Sequence, residues 1–300
     1  MLLMLVVGGP ASNGIDAALA KRLGAEHLVV QHKIFPDGES YIRYPRPRLS
    51  GTVILVQSLC PPQDKHLVEL LLMADAAKDL GAERVVAVVP YLAYSRQDKR
   101  FLEGEAISVK TVLKCLECAG VDCVVTVDLH SEKIVKYSKV PVVNVSAVPA
   151  LVEWVRAAIP AGEEVVVLSP DKGGLARARA AAELLGAGFD YVEKVRDRVT
   201  GEVRAVPKRL SVEGRVAVII DDIISTGGTI ALAAKSALEQ GAKEVYAACT
   251  HALLVSGAQE RMARAGAKRV VATNTVPSPV SEVDVSPLLG EAVNKALSLL

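Results

Sequence analysis

Short aliphatic runs alternating with Ala-rich stretches organise this chain. M-L-L-M-L-V-V at 1–7, T-V-I-L-V at 52–56, V-V-T-V-D-L at 124–129 and V-A-V-I-I at 216–220 are each bounded by turn-forming or polar residues. Runs of this length with little polar alternation predict central strands covered on both faces. Ala-rich segments between the runs stop at Gly24 and Gly186, and another occupies 231–240; a glycine just past such a segment is a helix stop signal. Strands alternating with helices predict an α/β fold built on parallel sheets.

The pattern occurs twice. Val6-Val7-Gly8-Gly9-Pro10 corresponds to Val167-Leu168-Ser169-Pro170, Gly38-Glu39 to Gly201-Glu202, and Gly51 to Gly214, 163 residues later. Gly81-Ala82-Glu83-Arg84-Val85 then corresponds to Gly241-Ala242-Lys243-Glu244-Val245, and Ala119-Gly120 to Ala265-Gly266. A spacing this long excludes a solenoid. It predicts two tandem copies of one doubly wound parallel-sheet domain, expected at 1–144 and 145–283. Residues 284–300 show helical apolar periodicity without a counterpart in the repeat, and are expected to pack back on the first domain.

Composition narrows the partners. Thirty-five Lys plus Arg against 34 Asp plus Glu leave a net charge of +1, so the chain as a whole attracts neither nucleic acid nor an anionic membrane. An aromatic content of 4% disfavours base-stacking platforms. The opening run is too short to span a bilayer and lacks a basic leader, so a cytoplasmic location is expected. Among five cysteines, Cys115, Cys118 and Cys123 cluster around a helix-to-strand turn, where buried structural thiols fit better than a metal or redox site.

Candidate chemistry gathers where the runs end. Asp221 and Asp222 follow V-A-V-I-I at the carboxyl edge of a strand, the edge at which open α/β sheets bind ligands. Adjacent carboxylates after buried aliphatics are costly unless something binds them. Ser225-Thr226-Gly227-Gly228-Thr229 supplies small residues whose backbone N–H groups can turn around an anion, ahead of a helix N-terminus. The first copy has Gln57-Ser58-Leu59-Cys60-Pro61-Pro62-Gln63-Asp64 there, without the acids or glycines, so only the second copy is expected to hold this phosphate. His130 closes V-V-T-V-D-L, and Asp171-Lys172-Gly173-Gly174 forms a second phosphate-sized nest before a helix. Lys194 and Arg196, in V-E-K-V-R-D-R ahead of Thr200-Gly201, are cations on a loop or ribbon able to close over substrates. Phe35-Pro36-Asp37-Gly38-Glu39 contains a turn, and Arg96-Gln97-Asp98-Lys99-Arg100 is a basic run.

The stretch D-D-I-I-S-T-G-G-T resembles the binding fingerprint of the type I phosphoribosyltransferase fold. Together with F-P-D-G-E, Y-S-R-Q-D-K-R and V-T-V-D-L-H-S, it resembles the set found in the ribose-phosphate pyrophosphokinases. The resemblance implies two tandem type I phosphoribosyltransferase-like domains and a transfer of pyrophosphate from ATP to ribose 5-phosphate. It further implies that Asp221, Asp222, Ser225, Thr226, Gly227, Gly228, Thr229 and Arg196 bind ribose 5-phosphate. Phe35, Asp37, Gly38, Glu39, Arg96, Gln97 and His130 would bind ATP, the first four from a neighbouring subunit of a homo-oligomer. Asp171, Lys172, Gly173 and Gly174 would form the pyrophosphate loop, His130 and Asp171 would serve Mg²⁺, and Lys194 and Arg196 would carry catalysis. Two positions depart from many members: Val195 interrupts a Lys-Arg-Arg run, and Ser225 replaces a third acid. A phosphoribosyltransferase and a silent regulatory homologue are the competing readings. The duplicated domain weighs against the first, and the presence of His130, Asp171, Lys194 and Arg196 weighs against the second.

Overall fold

A computed structural model of the chain describes residues 4–196, 203–205 and 208–300, with the backbone alone for 194–196 and 203–205. It divides into two compact units. The first comprises the chain up to Ser146 with Thr275–Pro277 and Val285–Leu300, and the second comprises Ala147–Asn274 and Ser278–Asp284. The expected boundaries at 144/145 and 283/284 therefore shift slightly. Residues 275–277 also join the first unit, where the Thr275 carbonyl accepts a 2.6 Å hydrogen bond from the buried Ser58 hydroxyl.

In the first unit the chain runs β1 (Met4–Gly8), α1 (Ile15–Leu23), β2 (Glu26–Val29), β3 (Gln31–Ile34), β4 (Ser40–Arg43) and β5 (Thr52–Val56). It continues through α2 (Gln63–Asp79), β6 (Arg84–Val89), α3 (Ser108–Cys118), β7 (Cys123–Val127) and β8 (Val142–Val145). Six of these strands form a parallel sheet in the order β2-β1-β5-β6-β7-β8, while β3 and β4 make a separate antiparallel hairpin. Central β5 and β7 are buried at every position, whereas edge strand β2 buries only Leu28. That contrast is why the central runs lack polar alternation.

The second unit repeats the arrangement. Its elements are α4 (Val148–Ala158), β9 (Val165–Ser169), α5 (Leu175–Leu185), β10 (Gly188–Tyr191), β11 (Lys194–Arg196), β12 (Val203–Ala205) and β13 (Val216–Ile224). Then come α6 (Gly228–Glu239), β14 (Glu244–Ala252), α7 (Ala258–Arg264), β15 (Ala267–Thr273) and β16 (Ser281–Val283). The sheet order β10-β9-β13-β14-β15-β16 matches that of the first unit strand for strand, and the β11–β12 ribbon stands where β3–β4 stands in the first. The last helix, α8 (Ser286–Ser298), belongs to the first unit and packs on α1, β7 and β8.

Two run ends differ from the sequence expectation. The β13 run does not stop before the acids but carries Asp221 and Asp222 on to Ile224. Its pairing with β9 ends at Ile219, whereas its pairing with β14 continues to Ile224 against Ala252. The acids are therefore strand residues projecting past the end of one neighbour. Conversely, β7 stops at Val127, because Asp128 takes a left-handed φ of 40° that no strand continues. The cysteines also differ: Cys123 is buried and its thiol is pushed up to about 11 by burial, but Cys118 is exposed. No helix among the described residues is long and apolar enough to cross a membrane.

Candidate active site

In the second unit the carboxyl ends of β9 and β13 face the start of α5. Arg177, on the first turn of α5, brings one guanidinium nitrogen to 3.7 Å from Asp221 and 3.5 Å from Asp222. Its side chain is only 16% exposed, so the attraction is weakly screened by water. Asp221 Oδ1 also accepts the Asp222 amide at 2.9 Å. Burial and the neighbouring Asp222 charge push the Asp221 carboxyl well above the ordinary carboxylate range, with Arg177 opposing them in part. Cys249, opposite Asp221 on β14, is fully buried and its thiol is pushed up chiefly by burial. Sequence reading missed Arg177. In L-A-R-A-R it looks like an ordinary surface helix residue, and only the fold turns it towards the acids.

The loop after β13 turns through Ser225, Thr226 and Gly227 into α6. Gly227 caps that helix with φ 72°, and a Cβ there would lie 3.0 Å from the Ala258 carbonyl oxygen and 3.1 Å from Met262 Cγ. Only glycine meets both conditions. Arg261 of α7 donates to the Thr226 carbonyl, bracing the loop from behind, while Thr226 and Gly228 are exposed and Ser225 and Thr229 half-buried. The loop thus offers amides and hydroxyls at a helix N-terminus beside two carboxylates. That arrangement can take a phosphate on one side and hydroxyl groups on the other.

The second expected nest is filled by its own carboxylate. Asp171 Oδ1 accepts the amides of Gly173 at 2.8 Å and Gly174 at 3.3 Å, in a short 3₁₀ turn that includes Lys172 and leads into α5. An anion entering there must displace that carboxylate from the amides. Gly174 sits tight against Ser169, whose Oγ would be 2.6 Å from an added Cβ. Lys194 and Arg196 lie on β11 of the antiparallel ribbon, opposite Ala205 and Val203. Their side chains, and Asp197, Arg198, Thr200, Gly201 and Glu202, lie outside the described residues.

The remaining candidates are on the first unit. Phe35–Glu39 is the exposed tip of the β3–β4 hairpin, closed by Phe35 N–H to Glu39 O at 2.8 Å and Gly38 N–H to Phe35 O at 2.9 Å. Glu39 N–H also donates to Asp37 at 3.2 Å. Lys33 lies 4.7 Å from the Phe35 ring centre and 4.8 Å from that of Tyr41. Arg96 is exposed on the loop after β6, whereas Gln97 is half-buried and donates to Glu105 at 3.1 Å. The amides of Leu102 and Phe101 hold the Glu105 carboxyl below its ordinary range. His130 is exposed just past β7.

Residues 4–120 match the N-terminal domain of ribose phosphate pyrophosphokinase, and residues 143–288 match the phosphoribosyl transferase domain. A ribose-phosphate pyrophosphokinase of Sulfurisphaera tokodaii is 45% identical over 295 residues, 97% of this chain and 100% of the relative. One of Saccharolobus solfataricus is 47% identical over 287 residues, 94% of this chain and 98% of the relative. The crystal structure of phosphoribosylpyrophosphate synthetase from Mycobacterium smegmatis superposes with a TM-score of 0.85 at 31% identity, covering 98% of this chain and 99% of that one. With relatives this similar along essentially its whole length, the chain belongs to the ribose-phosphate pyrophosphokinase family.

Proposed function

We propose that the protein transfers the β,γ-pyrophosphoryl group of ATP to the 1-hydroxyl of ribose 5-phosphate, giving 5-phosphoribosyl 1-pyrophosphate and AMP. The observation that carries this reading is the Asp221–Asp222 pair projecting past β9 beside the Gly227 loop. The loop amides suit the 5-phosphate, and the paired carboxyl groups suit the ribose hydroxyls as hydrogen-bond partners. The 1-oxygen attacks the β-phosphorus and gives up its proton to water, the bond from that phosphorus to the α,β-bridging oxygen breaks, and AMP leaves with the electron pair. Such a transfer depends on in-line positioning and charge cancellation more than on a protein nucleophile. Lys194 and Arg196 are assigned to the transferring phosphates, as a mobile point charge and a planar fork. Phe35, Asp37, Gly38 and Glu39 are assigned to ATP with Arg96, Gln97 and His130, the hairpin tip being supplied by a neighbouring subunit.

Mg²⁺ fits this donor set. It favours oxygen ligands, keeps several waters and shares nucleotide phosphates, so it needs no closed cage of protein groups. Asp171 in the second unit and His130 in the first are each assigned to Mg²⁺, which would neutralise charge on the ATP phosphates. A cytoplasmic location accords with these substrates.

The test follows AMP and 5-phosphoribosyl 1-pyrophosphate together by ³¹P NMR, with purified protein, ATP, Mg²⁺ and ribose 5-phosphate. Equal accumulation of both is the expected outcome. Formation of ADP would mean γ-phosphoryl transfer and overturn the reading. No turnover with tight phosphoribosyl pyrophosphate binding would point to a phosphoribosyltransferase or a regulatory homologue.

A further inference from the structure

The first unit has a strand end equivalent to the acidic one, and it is closed. Thr52 pairs with Arg84 on β6 as Val216 pairs with Glu244 on β14, so the strand registers equate Gln57 with Asp221 and Ser58 with Asp222. Gln57 and Ser58 are completely buried. The Gln57 amide turns inward: its oxygen accepts the Ala11 amide at 2.8 Å, and its nitrogen lies 3.3 Å from Glu69 Oε2 and 3.4 Å from the His66 carbonyl.

Glu69, on α2, is the unusual member of this group. Its side chain has no solvent exposure, and a buried carboxylate is tolerable only when donors surround it. Four do. Ser40 Oγ donates at 2.9 Å and His32 Nε2 at 2.8 Å, while Lys65 Nζ lies 3.3 Å away and Gln57 Nε2 supplies the fourth. His32 and Ser40 come from β3 and β4, one on each strand of the hairpin whose tip is Phe35–Glu39.

A two-stranded hairpin is marginal by itself, and this one buries little: every residue of β3 is exposed, and those of β4 are half-buried or exposed. Apolar burial within the two strands therefore contributes little to holding the hairpin in place, although Val30 and Tyr44 on either side of it are buried. We propose that Glu69 is a positioning residue for the Phe35–Glu39 loop, and that the strand end corresponding to the acidic site serves as the anchor of that hairpin. Gln57 stands where a ligand-binding acid stands in the other copy and supports Glu69. The geometry of the hairpin tip is set by charge-assisted hydrogen bonds to one carboxylate, from Ser40 in the strand pair beside the tip and from His32 two pairs further back. Nucleotide affinity depends on Glu69 although Glu69 lies on α2, outside the hairpin. This last step rests on the assignment of the hairpin tip to ATP.

The experiment combines hydrogen exchange with kinetics on the full-length protein and its Glu69→Gln and His32→Ala variants. Exchange in residues 31–43 is expected to accelerate while the β5 and β7 amides keep their protection. KM for ATP should rise by roughly tenfold, the equivalent of one lost hydrogen bond to a charged group, with KM for ribose 5-phosphate and kcat little changed. Unchanged exchange in 31–43 in both variants would overturn the anchor. Faster exchange with equal effects on both KM values would overturn the positioning role, leaving Glu69 a general stabiliser. Should Glu69→Gln fail to fold, His32→Ala gives the same reading, because it removes one hairpin donor and leaves the carboxylate its other three. The exchange measurement needs no substrate, so inactivity of the unaltered protein would count against the proposed reaction and not against the anchor.

Discussion

Asp221 is destabilised by the place that makes it useful. Its carboxyl is raised well above the ordinary 3.8, first by burial and then by the Asp222 charge. The folded state therefore holds this proton over a pH range in which the unfolded state has released it. The stability it contributes is complete below the ordinary value and is lost as pH rises through the folded value. Asp221→Asn should remove that decline, so the variant gains stability relative to the parent towards neutral pH while losing ribose 5-phosphate binding. Denaturant midpoints from about pH 4 to 8 with a binding titration check both halves, and a variant less stable at neutral pH would contradict the argument. At Gly227 the constraint is steric. A methyl group there meets the Ala258 carbonyl in a left-handed backbone, so Gly227→Ala should cost on the order of 2 kcal/mol and weaken phosphate binding. Urea unfolding and a phosphate titration measure the two effects.

Elements place these residues. Because β13 outlasts β9 by several residues, its acids are presented past the sheet edge while β14 still holds their backbone. The two ribbons, β3–β4 and β11–β12, occupy the same position in the two copies, and each carries a group assigned to phosphate or nucleotide. For β11 the expectation is kinetic. If Lys194 acts only on the transferring group, Lys194→Ala lowers kcat by several orders of magnitude with ribose 5-phosphate binding nearly unchanged. Single-turnover rates beside a binding titration measure this, and an unaltered rate would remove Lys194 from the mechanism.

At the scale of the whole molecule, duplication separates roles. Both sheets share one strand order, yet the carboxyl end of β13 is acidic and the chain just past β5 is sealed by Gln57 and Ser58. The first unit also depends on a distant part of the chain, since α8 buries Leu289, Ala292, Val293 and Ala296 against it. Ending the chain after Val285 should cost on the order of 5 kcal/mol from two large side chains and two alanines. The melting temperature is expected to fall by roughly 10 °C or more, and the first unit is expected to melt first. Limited proteolysis during a thermal ramp distinguishes loss of the first unit from uniform loss.

The architecture was legible in the chain because central parallel strands need unbroken aliphatic runs and helix ends need glycine. The duplication was legible because both copies keep those signals in one order. The D-D-I-I-S-T-G-G-T loop was legible for a related reason: its acids and glycines are locally expensive, so they stand out against an aliphatic background. The continuation of β13 through its acids depended on where β9 stops, which no local pattern encodes. Capture of the Gly173 and Gly174 amides by Asp171 depended on a turn conformation that several residue choices permit. Arg177 and Glu69 were silent in sequence because both lie in ordinary helical segments. Their chemistry comes from partners on other elements, Asp221 and Asp222 for one, His32, Ser40 and Gln57 for the other. Local conformational preference and burial periodicity are written residue by residue, whereas the electrostatic environment of a side chain exists only once the chain has brought distant groups together.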